Sequence, residues 1–390
     1  MISRRLKRPL SRLLGWGPWS SRLIGPPKAG VMDAPVSDAK AGIVAVRELE
    51  GGHAHPPAPV SADWAWIEPE LLTELHRTLC PEIKALRIGH FRNVRYFQPT
   101  FAVIDARDRI LHDFSQGWED GARGGNYAFE EVRLKKPLRL SGRSLLLDVR
   151  THSQNYFHWL MEALPRVELA RAAGWRAEDF DHVLVSGARK PFHRETLAMA
   201  GIDAARIVDT GAHPHIECEE LVAVSDLRMF AYDATIAALR KFYAAEIAAG
   251  AGKAGRRIFV SRADATSRVI VNEDELFAKL EPLGFARVIL GSKSVAEQAA
   301  LFAEAEVVVA PHGAALSNLV FCRRGALVVE IHYPRYTLGL YWQIAQRLGL
   351  RYGAVRGRVV AGAESGDPRQ ANMSVDAAGA AAYVADVLRG

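Results

Sequence analysis

Cysteine is scarce in this chain of 390 residues: Cys80, Cys218 and Cys322 stand far apart and form no C-x-x-C pair. That spacing offers no disulfide framework and no zinc knuckle, and it fits a reducing, cytoplasmic compartment. Long apolar runs are missing too. No segment approaches the roughly 20 apolar residues that a membrane-spanning helix requires. Acid is absent from the first thirty residues, which hold Arg4, Arg5, Lys7, Arg8, Arg12, Arg22 and Lys28 before Asp33 appears. Removing those seven bases from the net charge of +6 leaves the rest of the chain near −1. The body is therefore about neutral, and with no basic-aromatic stripe it gives no reason to expect nucleic acid as a partner. Bases recurring between Pro and Gly also fit a secretory leader poorly. Interleaved with Leu6, Leu10, Trp16 and Trp19, the basic residues could lie on an anionic membrane surface, or form a leader that touches nothing.

Several catalytic signatures are lacking as well. No G-x-G-x-x-G follows the first strand of either half, which removes the main support for a dinucleotide oxidoreductase. No G-x-S-x-G marks a hydrolase elbow, no Walker A loop appears, and no metal signature is read. "HPHIEC" (His213–Cys218) has the composition of a metal cluster, but its alternation equally suits a strand entry.

What is present is globular: 49% hydrophobic and 24% charged residues, in a length that suits two domains. Residues 1–60 read as a basic tail and a Pro/Gly/Ala/Ser-rich linker. Short β-like runs follow between Leu86 and Asp148, with "DARDRI" (Asp105–Ile110) placed as a hairpin turn. From Asn155 the period changes to three- and four-residue steps, predicting one amphipathic helix to about Ala173. Strand and helix then alternate, indicating an α/β domain with a largely parallel sheet over 61–250. A Gly-Ala-Gly-Lys-Ala-Gly stretch (Gly250–Gly255) reads as a hinge into a second α/β domain, 251–390. There Asn272 is a plausible N-cap, and Ser294 with Glu297 spells a capping box.

Four segments carry candidate chemistry. In "VVVAPHGAALSNLVFC" (Val307–Cys322) a buried strand ends at Pro311-His312-Gly313 and small residues lead into a helix. The backbone N–H groups of Gly313 and Ala314 could cradle a diphosphate, with His312 donating beside them; a tight turn with a satisfied histidine would look the same. In "RRIFVSRADATSR" (Arg256–Arg268), Ser261 and Arg262 end a strand, and Arg262 could fork onto phosphate oxygens or simply lie in solvent; Arg268 is a weaker candidate. Glu330 ends "ALVVEI" and could accept ribose hydroxyls or pair with an arginine. In "HSQNYFHWLMEALPR" (His152–Arg166), Asn155, His158 and Glu162 share a helix face. There a histidine and a carboxylate could deprotonate a hydroxyl, or make an ordinary polar stripe.

Taken in order, "NYFHWLMEALPR", "RIFVSRADA", "VNEDEL", "EQAALFAEAEVVVAPHGAALSN" and "VVEI" resemble glycosyltransferase family 61, over roughly Leu86–Val355. The resemblance implies an α/β, GT-B-like architecture, two Rossmann-like domains facing a cleft, and an inverting, metal-independent transferase. It would use a nucleotide-sugar donor and a polysaccharide or glycan acceptor, as in capsular polysaccharide biosynthesis, with no cofactor. By position, Arg262, Ser261, His312, Gly313, Ala314 and Glu330 would face the donor; Asn155, His158 and Glu162 would face the acceptor. Ala315-Leu316-Ser317 departs from the Gly-Leu-Thr-like run of many relatives. A binding protein that has lost catalysis, and a nucleotide-sugar epimerase or hydrolase, are the alternatives on the same architecture.

Overall fold

The structure is a computed structural model that describes residues 27, 29–31, 33–54, 69–77, 82–116, 128, 134, 136–149, 154–227, 232–253, 255–334, 336–360 and 371–389. The basic tail, Cys80 and His152 fall outside them. The described residues divide into two compact units, one within Met1–Gly52 and Lys84–Ala238, the other within His53–Ile83 and Leu239–Gly390. No helix among the described residues is long and apolar enough to cross a membrane.

In the first unit the described strands are β1 (Ala29–Val31), β2 (Ile43–Glu50), β3 (Leu86–Phe97), β4 (Ala102–Ile104) and β5 (Arg109–Leu111). They continue as β6 (Leu138–Leu146), β7 (His182–Val185), β8 (Ile207–Asp209) and β9 (His215–Val224). All nine join one sheet in the order β1-β5-β4-β3-β9-β6-β7-β8, with β2 also on β3. Its β9-β6-β7-β8 half is parallel, while β2, β4 and β9 run antiparallel to β3. The sheet is thus mixed rather than largely parallel. Phe91, Val94, Tyr96, Ile216, Cys218 and Leu221 fill a core under it. The stretch expected to be linker supplies β1 and β2; β2 buries Ile43 and Val46 and leaves its other side exposed, so its charged residues hide the alternation. Asp105 forms the expected turn, its carboxylate accepting from the N–H groups of Arg107 and Arg109 at 3.0 and 2.8 Å.

The second unit is cleaner. β10 (Arg256–Val260), β11 (Phe285–Val288), β12 (Ala305–Pro311), β13 (Leu327–His332) and β14 (Arg351–Arg356) form a parallel sheet in the order β11-β10-β12-β13-β14. Central strands buried on both sides read as continuous apolar runs, which is why "VVVA" and "LVV" look as they do. Phe259, Val307, Val309, Val329 and Ile331 face the helices Glu273–Leu280 and Ala377–Arg389. In this doubly wound order the chain reverses direction between β10 and β12, and ligands of such sheets bind beyond the carboxyl ends at that reversal.

Helix signals held unevenly. Ser294 and Glu297 form the capping box. Asn272 occupies the cap position without capping: its side chain exchanges hydrogen bonds with the backbone of Val375 at 2.8 and 3.0 Å. Gly250, expected in a hinge, lies inside the helix Ala244–Ala251, and the boundary between units falls at Ala238/Leu239. A Cβ there would come within 2.2 Å of the Ala300 carbonyl oxygen, so glycine serves a close crossing with the helix Val295–Glu304.

Candidate active site

In the second unit, β10 ends at Val260 and the chain turns through Ser261. The Ser261 hydroxyl donates to Glu273 Oε1 at 2.6 Å and accepts from the Ala263 N–H at 3.0 Å. The other Glu273 oxygen takes the Arg262 N–H at 3.2 Å. Ser261 is buried and builds this turn. Glu273, in the first turn of its helix, was not among the expected site residues; only its place in "VNEDEL" hinted at a role. The turn aims Arg262 across to β12. Its guanidinium donates to the Ser267 carbonyl at 3.0 Å, and Nη1 would lie 2.3 Å from a Cβ on Gly313. Arg262 and the Pro-His-Gly turn therefore meet at the carboxyl ends of β10 and β12.

Gly313 is extended (φ 173°), so the missing side chain, not an unusual backbone, is what the position uses. The 3-10 helix Ala314–Phe321 starts after it. Its first N–H groups, Ala314 among them, have no partner within the helix. Ser317 Oγ donates to the Ala314 carbonyl at 2.7 Å and Asn318 holds the Ala315 carbonyl at 2.9 Å, which fixes the start of the helix.

His312 is buried, and its Nδ1 lies 2.5 Å from Glu330 Oε1 on the neighbouring strand β13. Tyr352, on β14, donates to the other oxygen at 2.5 Å, and His332 Nε2 lies 3.2 Å from the Tyr352 hydroxyl. Burial first, then the charges of Arg268 and Arg262, push His312 down to about 3. Burial also takes His332 down to about 4, against the pull of Glu330. Burial raises Glu330, opposed by His332 and the Tyr352 hydrogen bond. Glu330 is fully buried, with one oxygen against His312 and the other against Tyr352, so it holds His312 in place.

His312, Glu330 and His332 also bring three ligand atoms within 4.8 Å of one another, a set that could hold a metal ion. The carboxylate is already shared by His312 and Tyr352, and two guanidinium charges bear on His312. His332 Nδ1 is buried with no hydrogen-bond partner. Asp179 and Asp181, an Asp-x-Asp pair that the motif reading passes over, lie at the amino end of β7. They accept from the backbone N–H groups of Arg176 and Arg143.

In the first unit Asn155 caps the helix start, its Oδ1 accepting from the Phe157 N–H at 2.8 Å. The expected single helix is three pieces: Tyr156–His158, a π-helical turn Trp159–Ala163, and Pro165–Ala172. Such turns occur often at functional sites. His158 Nδ1 lies 3.0 Å from Glu162 Oε2, an ion-pair distance; the Glu162 side chain is 2% exposed and that of His158 20%. Pro165 has no N–H to give the preceding turn. Arg166 compensates: fully enclosed, it donates from Nε to the Glu162 carbonyl at 2.8 Å and from Nη1 to Val224 at 2.7 Å. This pins the π turn to the end of β9. Burial lowers Arg166, and Asp226, Glu162 and Asp148 pull it back up.

Residues 156–329 match the family described as glycosyltransferase 61. These residues form a glycosyltransferase 61 domain. No curated protein matches the chain. The matched residues of this transferase run from the π turn, through Arg262 and His312, to the residue before Glu330. Tyr352 and His332, which complete the buried network around Glu330, lie outside them and were not expected from the sequence.

Proposed function

We propose that this glycosyltransferase is inverting and metal-independent, of the GT-B type, moving a sugar from a nucleotide-sugar to a polysaccharide or glycan acceptor, as in capsular polysaccharide assembly. The observation that carries the donor assignment is the Arg262 guanidinium lying over Gly313 at the reversal of the second unit's sheet. There Arg262 and the N–H groups opening the Ala314 helix take up negative charge as the bond between the anomeric carbon and the phosphate oxygen breaks. The acceptor oxygen forms the new bond to that carbon and gives up its proton. His158, the more exposed of its pair, receives it, and Glu162 orients the ring. No cofactor enters this scheme.

The assay compares wild type with Arg262→Ala, using a nucleotide-sugar with and without acceptor. The expected result is a loss of about a hundredfold or more in kcat/KM with the melting temperature kept. Equal activity would remove Arg262 from the donor site, and conversion of donor with no acceptor required would favour an epimerase or hydrolase. The basic residues 1–30 are proposed to hold the enzyme to the inner, anionic face of the membrane. Sedimentation with phosphatidylserine vesicles should be lost on deleting them; retention in the deleted chain would refute the anchoring role.

A further inference from the structure

The helices that follow β6 and β7 both start at the carboxyl end of these parallel strands, and their first turns meet there. Tyr156 stands against Phe192, ring centres 5.4 Å apart and nearly perpendicular. Behind Phe192 lie Trp159 and His193, with ring centres at 6.4 and 4.2 Å. Those two are fully buried, whereas Tyr156 and Phe192 each keep part of their surface in solvent. Trp159 donates from Nε1 to Thr196 at 2.9 Å, and His193 Nδ1 accepts from the Lys190 N–H at 3.0 Å. The exposed aromatic pair is thus fixed from behind and wet in front, as rings at recognition surfaces are.

Lys190 adds charge to this surface. Its Nζ donates to the Gln154 carbonyl at 2.7 Å and lies 5.8 Å from the Phe192 ring centre. Both contacts keep the ammonium beside the rings and neither neutralises it: among the described residues Lys190 meets no carboxylate. Neighbouring Arg189 pairs with Asp209 at 3.2 Å, but its side chain is 84% exposed, so the pair is weak. Asp209 is also occupied by the N–H groups of Gly187 and Gly211. The first turn of the helix Pro191–Met199 holds no acid. Ring faces and uncompensated positive charge therefore lie side by side, two residues from His158 on the helix that Asn155 opens. Side chains two apart on a helix point to different sides. A sugar ring on Tyr156 is therefore not the ring that reaches His158 but the one next to it.

We propose that Tyr156, Phe192 and Lys190 form an acceptor subsite for a sugar ring that carries a carboxylate, one residue removed from the ring whose hydroxyl reacts. This rests on the reading of the His158 side as the acceptor side and narrows it to an acidic glycan. The C–H face of the ring packs on the aromatic pair, and the carboxylate accepts from Lys190 Nζ. A neutral sugar satisfies the rings and leaves the ammonium unmatched.

The test is ligand-observed NMR titration of the full chain with tetragalacturonate and with the same tetramer reduced to its neutral alcohol, at low, fixed ionic strength. Wild type should bind the acidic form about three- to fivefold more tightly, the scale of an exposed charge pair. Lys190→Met, which keeps the length of the side chain, should erase that preference. Phe192→Leu should weaken both forms about threefold, and Arg139→Gln, at the other end of β6, should change neither. If Phe192→Leu folds poorly, Lys190→Met carries the comparison. Equal binding of the two forms by wild type, or a preference kept in folded Lys190→Met, would overturn the subsite. Turnover of a nucleotide-sugar by His158→Ala separates this from the reading it rests on. Lost turnover with no acid preference in wild type would remove the subsite and leave His158 as base; full turnover with the preference intact would remove the base and leave the subsite standing.

Discussion

Gly313 leaves open the space that the Arg262 guanidinium occupies. Its backbone is extended, which any amino acid adopts, so alanine there brings no backbone strain. What alanine does bring is a methyl group 2.3 Å from Arg262 Nη1. The group in the way is the free end of a long side chain, so the fold does not have to yield; the guanidinium does. Gly313→Ala should therefore keep its melting temperature while the KM for the nucleotide-sugar rises about tenfold, the scale of a displaced charge-assisted hydrogen bond. A large loss of stability would mean that the glycine serves packing instead. At this scale the sequence disclosed the groups that end strands and little of what they touch. Arg262 and His312 could be placed at strand ends because buried parallel strands read as apolar runs. The partners of Glu330, His312 and Tyr352, were not legible, since they lie 18 and 22 residues away in sequence. Arg166 and Glu273 were missed because a positioning role depends on what a side chain reaches, which spacing does not encode.

Among elements, the helix crossing at Gly250 makes the plainest forecast. A Cβ at this position meets the Ala300 carbonyl oxygen at 2.2 Å and the Ala303 methyl at 2.8 Å. Backbone cannot swing aside as a guanidinium can, so the helices Ala244–Ala251 and Val295–Glu304 must separate. Overpacking of this kind costs about 1–3 kcal/mol, against which the better helix propensity of alanine returns up to about 1 kcal/mol. Gly250→Ala should lower the melting temperature by about 2–6 °C, read by calorimetry, with Gly252→Ala as the control. The control is apt because a Cβ at Gly252 meets nothing closer than 3.7 Å. An unchanged or higher melting temperature would restore the hinge reading. The alternation of strand and helix in the second unit was legible because its strands are apolar runs and the Ser294–Glu297 box marks a helix start. The π turn was not, since residues three and four apart share a face in either kind of helix. Nor was the antiparallel pairing of β2 and β9 with β3, which joins segments distant in sequence and is set by register rather than composition.

For the molecule as a whole, the helix Pro69–Arg77 belongs with the second unit, where Glu74 pairs with Arg356 at 3.2 Å. An excursion of that kind leaves no mark in composition. Both units share an acid liability that can be worked out in sign. Burial leads the causes that lower His90, that take His112 and His332 to about 4, and that take His312 to about 3, all from 6.5. Once unfolded, these imidazoles bind protons as the pH falls through about 6.5, while in the folded protein they do not. The unfolded state then holds more protons, so stability rises with pH across this window and is lost on acidification. Glu330 and Asp113 act the other way: raised by burial, they take up protons in the folded state first. Four depressed imidazoles outnumber two raised carboxyls. The depressed carboxylates Asp209 and Glu220 add their loss only further down, as the pH approaches their folded values. The melting temperature should accordingly fall steadily between about pH 7 and about pH 5, followed by circular dichroism at constant ionic strength. His312→Asn and His332→Phe should each make that slope shallower, because each removes one proton taken up on unfolding. A melting temperature that holds or climbs over the same range would mean that Glu330 governs the buried network, with its proton retained in the fold.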